Sequence, residues 1–235
     1  MIVTDNLGAG YKTMQVLFDV SVTVPRKMLT VIVGPNGSGK STFLKTIFGL
    51  TKIYSGVVKV DGVDITGLPP HIVARYGISY VPQVDNIFGN LTVQENLMIA
   101  THGLKTDEST LKEIFEMFPH LRTFKNRKAA LMSGGERQML AIAMSLLRKP
   151  KVMLFDEPTA NLSPKMAKMI FDIIKELRDR FDKTVILAEQ NARKALEIGD
   201  KAILLVSGRT VFEGDAAALL NHAELGKLYL GIKQS

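Results

Sequence analysis

The stretch from Thr30 to Leu50 restricts the fold of this chain more than any other. An apolar run, Thr30-Val31-Ile32-Val33, leads into Gly34-Pro-Asn-Gly-Ser-Gly-Lys-Ser41, and helix-like sequence follows from Thr42 to Leu50. The eight residues fit G-x-x-x-x-G-K-[ST], a phosphate-cradling turn between a strand and a helix. Backbone N–H groups can close around triphosphate oxygens only where no Cβ intervenes, which glycines at 34, 37 and 39 allow. On that basis Gly34, Pro35, Asn36, Gly37, Ser38 and Gly39 form the cradle, and Lys40 reaches the β- and γ-phosphates. Ser41 offers a hydroxyl to Mg²⁺. Thr42 opens a helix whose positive dipole end faces the same anions. The competing structural meaning is a strand, a turn and a helix that hold no ligand.

Such a unit needs partners on both sides. From Gln15 to Val24, Phe18, Val20, Val22 and Val24 alternate with polar residues, the period of a strand with one buried face. Val57-Val58-Lys59-Val60 repeats the pattern and ends at Asp61-Gly62, a tight-turn pair. Together they predict a small antiparallel sheet beside the nucleotide core. Tyr11 lies ahead of the first of these strands, as a packing residue or a platform for adenine. Ile78 to Val81 predicts a short buried strand that Pro82-Gln83 breaks.

From Thr92 to about Leu147 the periodicity turns helical and predicts a helical insertion, within which Lys125-Asn-Arg-Lys128 reads as a solvated face. Lys151 to Phe155 is then a buried strand ending in Asp156-Glu157-Pro158. Helical spacing returns from Met166 to Arg180, and Thr184 to Ala188 and Ala202 to Val206 are further core strands. Alternating strand and helix predict a parallel α/β sheet, whose C-terminal edge faces ligands. The tail 214–235 reads as one or two short helices.

Composition narrows the function classes. The chain has 235 residues, enough for one large domain or two tightly joined lobes. Its 30 Lys and Arg against 23 Asp and Glu give +7, which suits nucleic acid, an anionic surface or phosphate ligands without choosing among them. The lack of cysteine excludes a disulfide framework, a thiol nucleophile and a thiolate metal site. No charged leader precedes an apolar core at Met1-Ile-Val-Thr-Asp, and no apolar run approaches the ~18 residues of a spanning helix. A membrane role is therefore expected through a partner.

Asp156 at a strand end suits Mg²⁺ binding. Glu157, one step nearer solvent, suits polarisation of an attacking water, so with Lys40 they form a coherent set for phosphoryl transfer. Leu131-Met-Ser-Gly-Gly-Glu-Arg-Gln138 begins another helix. Ser133 with Glu136 spells a capping box, yet the same hydroxyl, glycine N–H groups and dipole also suit an anion. This stretch resembles the signature of ATP-binding-cassette (ABC) proteins, Leu-Ser-Gly-Gly-Gln, with Met132 before Ser133 and Glu136 where Gln is commonest.

The resemblance covers essentially the whole chain and implies an α/β fold: a P-loop NTPase (RecA-like) core with an antiparallel β lobe and an inserted helical lobe. One domain, 1–235, would comprise core and β lobe at about 1–84 and 150–213, helices at about 85–149 and the tail. It implies ATP and Mg²⁺ as ligands. Ser133, Gly134 and Gly135 of one subunit would complete the ATP site of another in a head-to-tail dimer, Tyr11 would stack on adenine, and Gln83 would link Mg²⁺ and water to a membrane-facing surface. Gln190 stands where a switch histidine is usual and cannot carry a proton as His can. Ser163 replaces a usual Asp, and Lys27-Met28 a usual Gly-Glu.

Glu189-Gln-Asn191, Gly67-Leu-Pro-Pro-His71 and Leu91 to Leu97 look most like the ATP-binding subunits of branched-chain amino acid importers. This implies transmembrane permease subunits, a second ATPase subunit, identical or a sister, and, indirectly, an extracytoplasmic solute-binding protein. The expected location is the cytoplasmic face of the membrane, with no nucleic acid partner. The alternative is a soluble ABC ATPase that clamps nucleic acid or remodels a ribosome or assembly complex.

Overall fold

The computed structural model describes residues 1–84, 86–101, 108–222, 224 and 229. In chain order its elements are β1 (Ile2–Tyr11), β2 (Met14–Val24), β3 (Leu29–Val33), α1 (Lys40–Ile47), β4 (Lys52–Val60), β5 (Val63–Asp64), α2 (Pro70–Val73), β6 (Ile78–Val81), α3 (Val93–Ala100) and α4 (Glu108–Met117). There follow α5 (Pro119–Thr123), α6 (Gly134–Leu146), β7 (Val152–Asp156), α7 (Pro164–Asp179), β8 (Thr184–Ala188), α8 (Ala192–Ile198), β9 (Lys201–Val206), β10 (Arg209–Asp215) and α9 (Ala216–Leu220).

Every residue of β3, β7 and β8 is buried, as strands covered on both faces must be. They lie inside a six-stranded sheet ordered β10-β9-β3-β8-β7-β6, parallel from β9 to β6, with β10 returning antiparallel beside β9. Strand alternation sorts their side chains into two cores. Val31, Met153, Phe155, Val185, Leu187 and Leu204 meet the helices that include α6 and α7. Ile32, Leu154, Ile186, Ala188 and Ile203 meet α1, through Phe43, Leu44 and Ile47, and beyond it Leu17, Val20 and Val58 of a second sheet. The α1 helix is thus wedged between two sheets.

That second sheet is antiparallel, ordered β2-β1-β4-β5. It contains both predicted strands, but β1, which the sequence pattern does not announce, lies between them. Asp61 and Gly62 link β4 to β5 with φ of 52° and 85°, the two left-handed residues of a type I′ hairpin.

Helices α3 to α6 fill the chain between β6 and β7, and bury Leu97, Phe118, Leu121 and Leu140 against the first core. Lys125, Asn126, Arg127 and Lys128 are exposed, as a solvated face requires. The predicted helical tail begins later than expected, because β10 continues through Asp215. Most of the tail after α9 lies outside the described residues. Among the described residues no helix is long and apolar enough to cross a membrane.

Candidate functional site

The site grows from the end of β3. At Gly34 φ is 150°, and a Cβ there would come within 2.1 Å of the Leu205 carbonyl oxygen, so only glycine lets the loop leave the sheet here. At Gly39 φ is 103°, and α1 starts behind it with no side-chain cap, leaving its first N–H groups for a ligand. Lys40 Nζ folds back to donate to the carbonyls of Gly34 (3.0 Å) and Pro35 (3.1 Å). Burial pushes its ammonium below the ordinary lysine value, while Glu157, Asp156 and Glu189 push it back up. Ser38 Oγ is buried without a partner. A buried hydroxyl lacking a bond, uncapped N–H groups and a cation together fit a phosphate chain.

Asp156 ends β7 two residues after Leu154 and therefore faces α1. Its Oδ1 accepts from Ser41 Oγ at 2.6 Å and its Oδ2 from the Tyr80 hydroxyl at 2.8 Å. Burial, followed by the charge and hydrogen bond of Asp156, pushes the Tyr80 phenol well above its ordinary value. The next residue, Glu157, is left-handed at φ 45° although it is not glycine, and its N–H donates to Ala188 O at 2.9 Å. Such backbone strain persists where surroundings enforce it, often in active sites. Ser41 and Asp156 offer hard oxygen donors of the kind Mg²⁺ takes together with substrate phosphates. Among the described residues no group of three or more His, Asp or Glu could hold a metal unaided.

A cleft of about 520 Å³ brings together Tyr11, residues 36–42, Glu157 and Gln190. Tyr11 ends β1, and Met14 and Val16 give the same wall an apolar lining suited to a base. The other predicted residues lie elsewhere. Gln83 is exposed beyond β6 and does not line the cleft. Ser133 and Gly134 are exposed at the start of α6, also outside it. The capping box is formed: Ser133 Oγ accepts from Glu136 N–H at 3.3 Å and Ser133 N–H donates to Glu136 Oε2 at 2.6 Å. That backbone donor is the main reason the Glu136 carboxyl lies below its usual value. Gly135 is buried against α7, where a Cβ would come within 2.2 Å of Met166 Cε.

Glu189, which the sequence does not single out, is 2 % exposed. It accepts from Thr159 Oγ1 (2.7 Å), Thr159 N–H (3.2 Å) and Gln190 N–H (3.1 Å), tying the segment after Glu157 to the one carrying Gln190. Burial raises its carboxyl above the ordinary value, against the pull of those donors. The available signal was a charged residue directly after an apolar strand, the pattern that marks Asp156.

Residues 17–160 match the family described as ABC transporter. The chain is 52 % identical over 234 residues to the "Probable branched-chain amino acid transport ATP-binding protein LivF" of Archaeoglobus fulgidus, covering 99 % of both proteins. It is 34 % identical to the "Lipopolysaccharide export system ATP-binding protein LptB" of Haemophilus influenzae, covering 98 % of this chain and 97 % of that protein. Among solved structures, a dimeric post-hydrolysis ATP-binding cassette bound to ADP and Pi superposes with a TM-score of 0.80 at 29 % identity, over 92 % of this chain and 99 % of that one. The match of residues 17–160 to the family model and the 52 % identity over 99 % of the chain, in a fold shared with these cassettes, place the chain in the ABC transporter family as an ATP-binding and ATP-hydrolysing subunit.

Proposed function

We propose that this chain powers an importer for branched-chain or other hydrophobic amino acids, as a head-to-tail dimer on the cytoplasmic face of a membrane permease. The observation that carries the proposal is the split site. The cleft holds the P-loop, Tyr11, Glu157 and Gln190, while Ser133 and Gly134 stand exposed outside it. A second copy supplying Ser133, Gly134 and Gly135 would enclose the nucleotide from the open side.

In that closed state Tyr11 stacks on adenine, the N–H groups of the loop 34–39 and Lys40 neutralise the phosphates, and Gln190 donates an N–H to the γ-phosphate. Ser41 and Asp156, with Gln83 brought in, would hold Mg²⁺, which would supply further charge neutralisation. Glu157 orients water and accepts its proton, a role worth about 10²–10⁴-fold. The fixed cations and N–H groups contribute by meeting charge as it spreads over the transferring phosphoryl group.

The permease has a natural seat. A groove of about 440 Å³, lined in part by Phe48, Ala74, Tyr80, Ala100, Met144 and Arg148, opens beside Pro82 and Asn86, next to Gln83. Its mainly apolar lining suits a short amphipathic helix of the permease. The LivF likeness supports an amino acid as the substrate. The LptB likeness, at lower identity, favours export instead. The soluble alternative rests on the +7 charge alone.

The test is Glu157→Gln. It is expected to bind ATP and persist as a dimer in size-exclusion chromatography while phosphate release collapses; parent-rate turnover refutes the role of Glu157. Expression with candidate permeases, followed by uptake of labelled leucine into vesicles, separates import from export.

A further inference from the structure

Tyr80 lines the groove and reaches, through Asp156, the Ser41 hydroxyl of the cleft. Its ring lines the groove and stacks on Phe48, another groove residue, with centroids 5.7 Å apart and 30° between planes. Its hydroxyl donates to Asp156 Oδ2 at 2.8 Å, while Ser41 occupies Oδ1 at 2.6 Å. Register explains the meeting. β6 pairs in parallel with β7, Tyr80 opposite Leu154 and Val81 opposite Phe155, so Tyr80 and Asp156 project from the same face of neighbouring strands.

We infer that Tyr80 is a positioning residue with two contacts: its hydroxyl fixes the rotation of the Asp156 carboxylate for a metal ion, and its ring passes occupancy of the groove to that carboxylate. A carboxylate rotates easily about its last bond. Asp156, 3 % exposed, receives one donor on each oxygen, so removing the phenol frees one of its two tethers. Outer partners of metal ligands typically matter by about 10- to 100-fold in metal affinity. The link to the groove needs no chain of intermediates, because one side chain touches both. The first contact stands on geometry within this chain; the second rests on the groove as the permease seat.

Tyr80→Phe keeps the ring and its stacking and deletes only the hydroxyl. In the isolated subunit, Mn²⁺ titrated against the ADP complex and followed by electron paramagnetic resonance is expected to bind about tenfold or more weakly than in the parent. ADP affinity in EDTA is expected to stay within twofold. A packing role would weaken both together, so an equal loss of both, or parent-like Mn²⁺ binding, overturns the inference. With the permease present and Mg²⁺ saturating, the variant is expected to lose the permease's stimulation of ATP hydrolysis; a parent-like stimulation ratio overturns the second contact. Failure of any permease to co-purify counts against the groove, whereas the Mn²⁺ measurement needs no permease.

Discussion

Three side chains near the open cleft differ in the chemistry open to them. Glu157 can accept a proton from water, but Gln190 can only donate or accept hydrogen bonds. Gln190→Ala is therefore expected to slow hydrolysis, with Gln190→His retaining it, in a phosphate-release assay; an alanine variant at the parent rate would mean that no γ-phosphate contact exists. Glu189 does neither job and instead braces Thr159 and Gln190 from beneath. Its pKa is raised by burial, so the folded state takes up its proton before the unfolded chain does. The carboxyl's handicap is thus absent below the unfolded value of about 4.3 and complete once pH exceeds the raised folded value. Relative to Glu189→Gln, the parent should gain melting temperature as pH falls from 7 through that window. A constant difference between the two across the same buffers would show that Glu189 keeps an ordinary pKa.

At the scale of elements, the start of α6 meets two demands at once. Ser133 caps the helix, and Ser133→Ala is expected to lower unfolding free energy by about 1 kcal/mol in urea. If it also touches a partner's nucleotide, hydrolysis must fall far beyond what that modest loss explains. Gly135 packs closely on α7: Gly135→Ala brings a methyl against Met166, whose flexible end must move aside. The cost of that crowding, set against the helix preference for Ala, is expected to leave a net destabilisation of about 1 kcal/mol. Adding Met166→Ala should recover part of that loss in a double-mutant cycle, and additive losses would place the constraint elsewhere.

These elements also show what could be read from sequence. β8 and β6 have the predicted ends, Thr184–Ala188 and Ile78–Val81. β8 is buried throughout and so reads as a near-continuous apolar run, whereas edge strand β6 is marked by its buried end residues Ile78 and Val81 and by Pro82 after it. The strand, loop and helix from Leu29 to Ile47 were legible because their pattern lies within consecutive residues. β1 escaped because register shifts between Thr4 and Leu7, Leu7 and Ala9, and Ala9 and Gly10 break the two-residue period. β10 escaped because none of its residues is fully buried. The bonds of Tyr80 to Asp156 and of Glu189 to Thr159 join residues 76 and 30 positions apart, and no local pattern encodes them.

For the whole molecule, the decisive feature is that α1 is wedged between two sheets, its first turn in the cleft and the residue after it, Phe48, lining the groove. A body built this way can transmit between its two openings through rigid elements. Blocking the groove should then separate partner binding from nucleotide binding. Ala74 lines the groove and belongs to neither core, so Ala74→Arg places a long cation there at little expense to the fold. A charge seated in an apolar interface without a counter-ion is costly. Permease recovered with the tagged variant is expected to fall at least about tenfold, equivalent to about 1.4 kcal/mol. ATP-dependent dimers of the Glu157→Gln, Ala74→Arg double variant should form as in Glu157→Gln alone, since the cleft and the Ser133 surface lie elsewhere. Parent-like permease recovery would move the docking surface off this groove, and loss of dimers would mean that the groove and the nucleotide interface overlap.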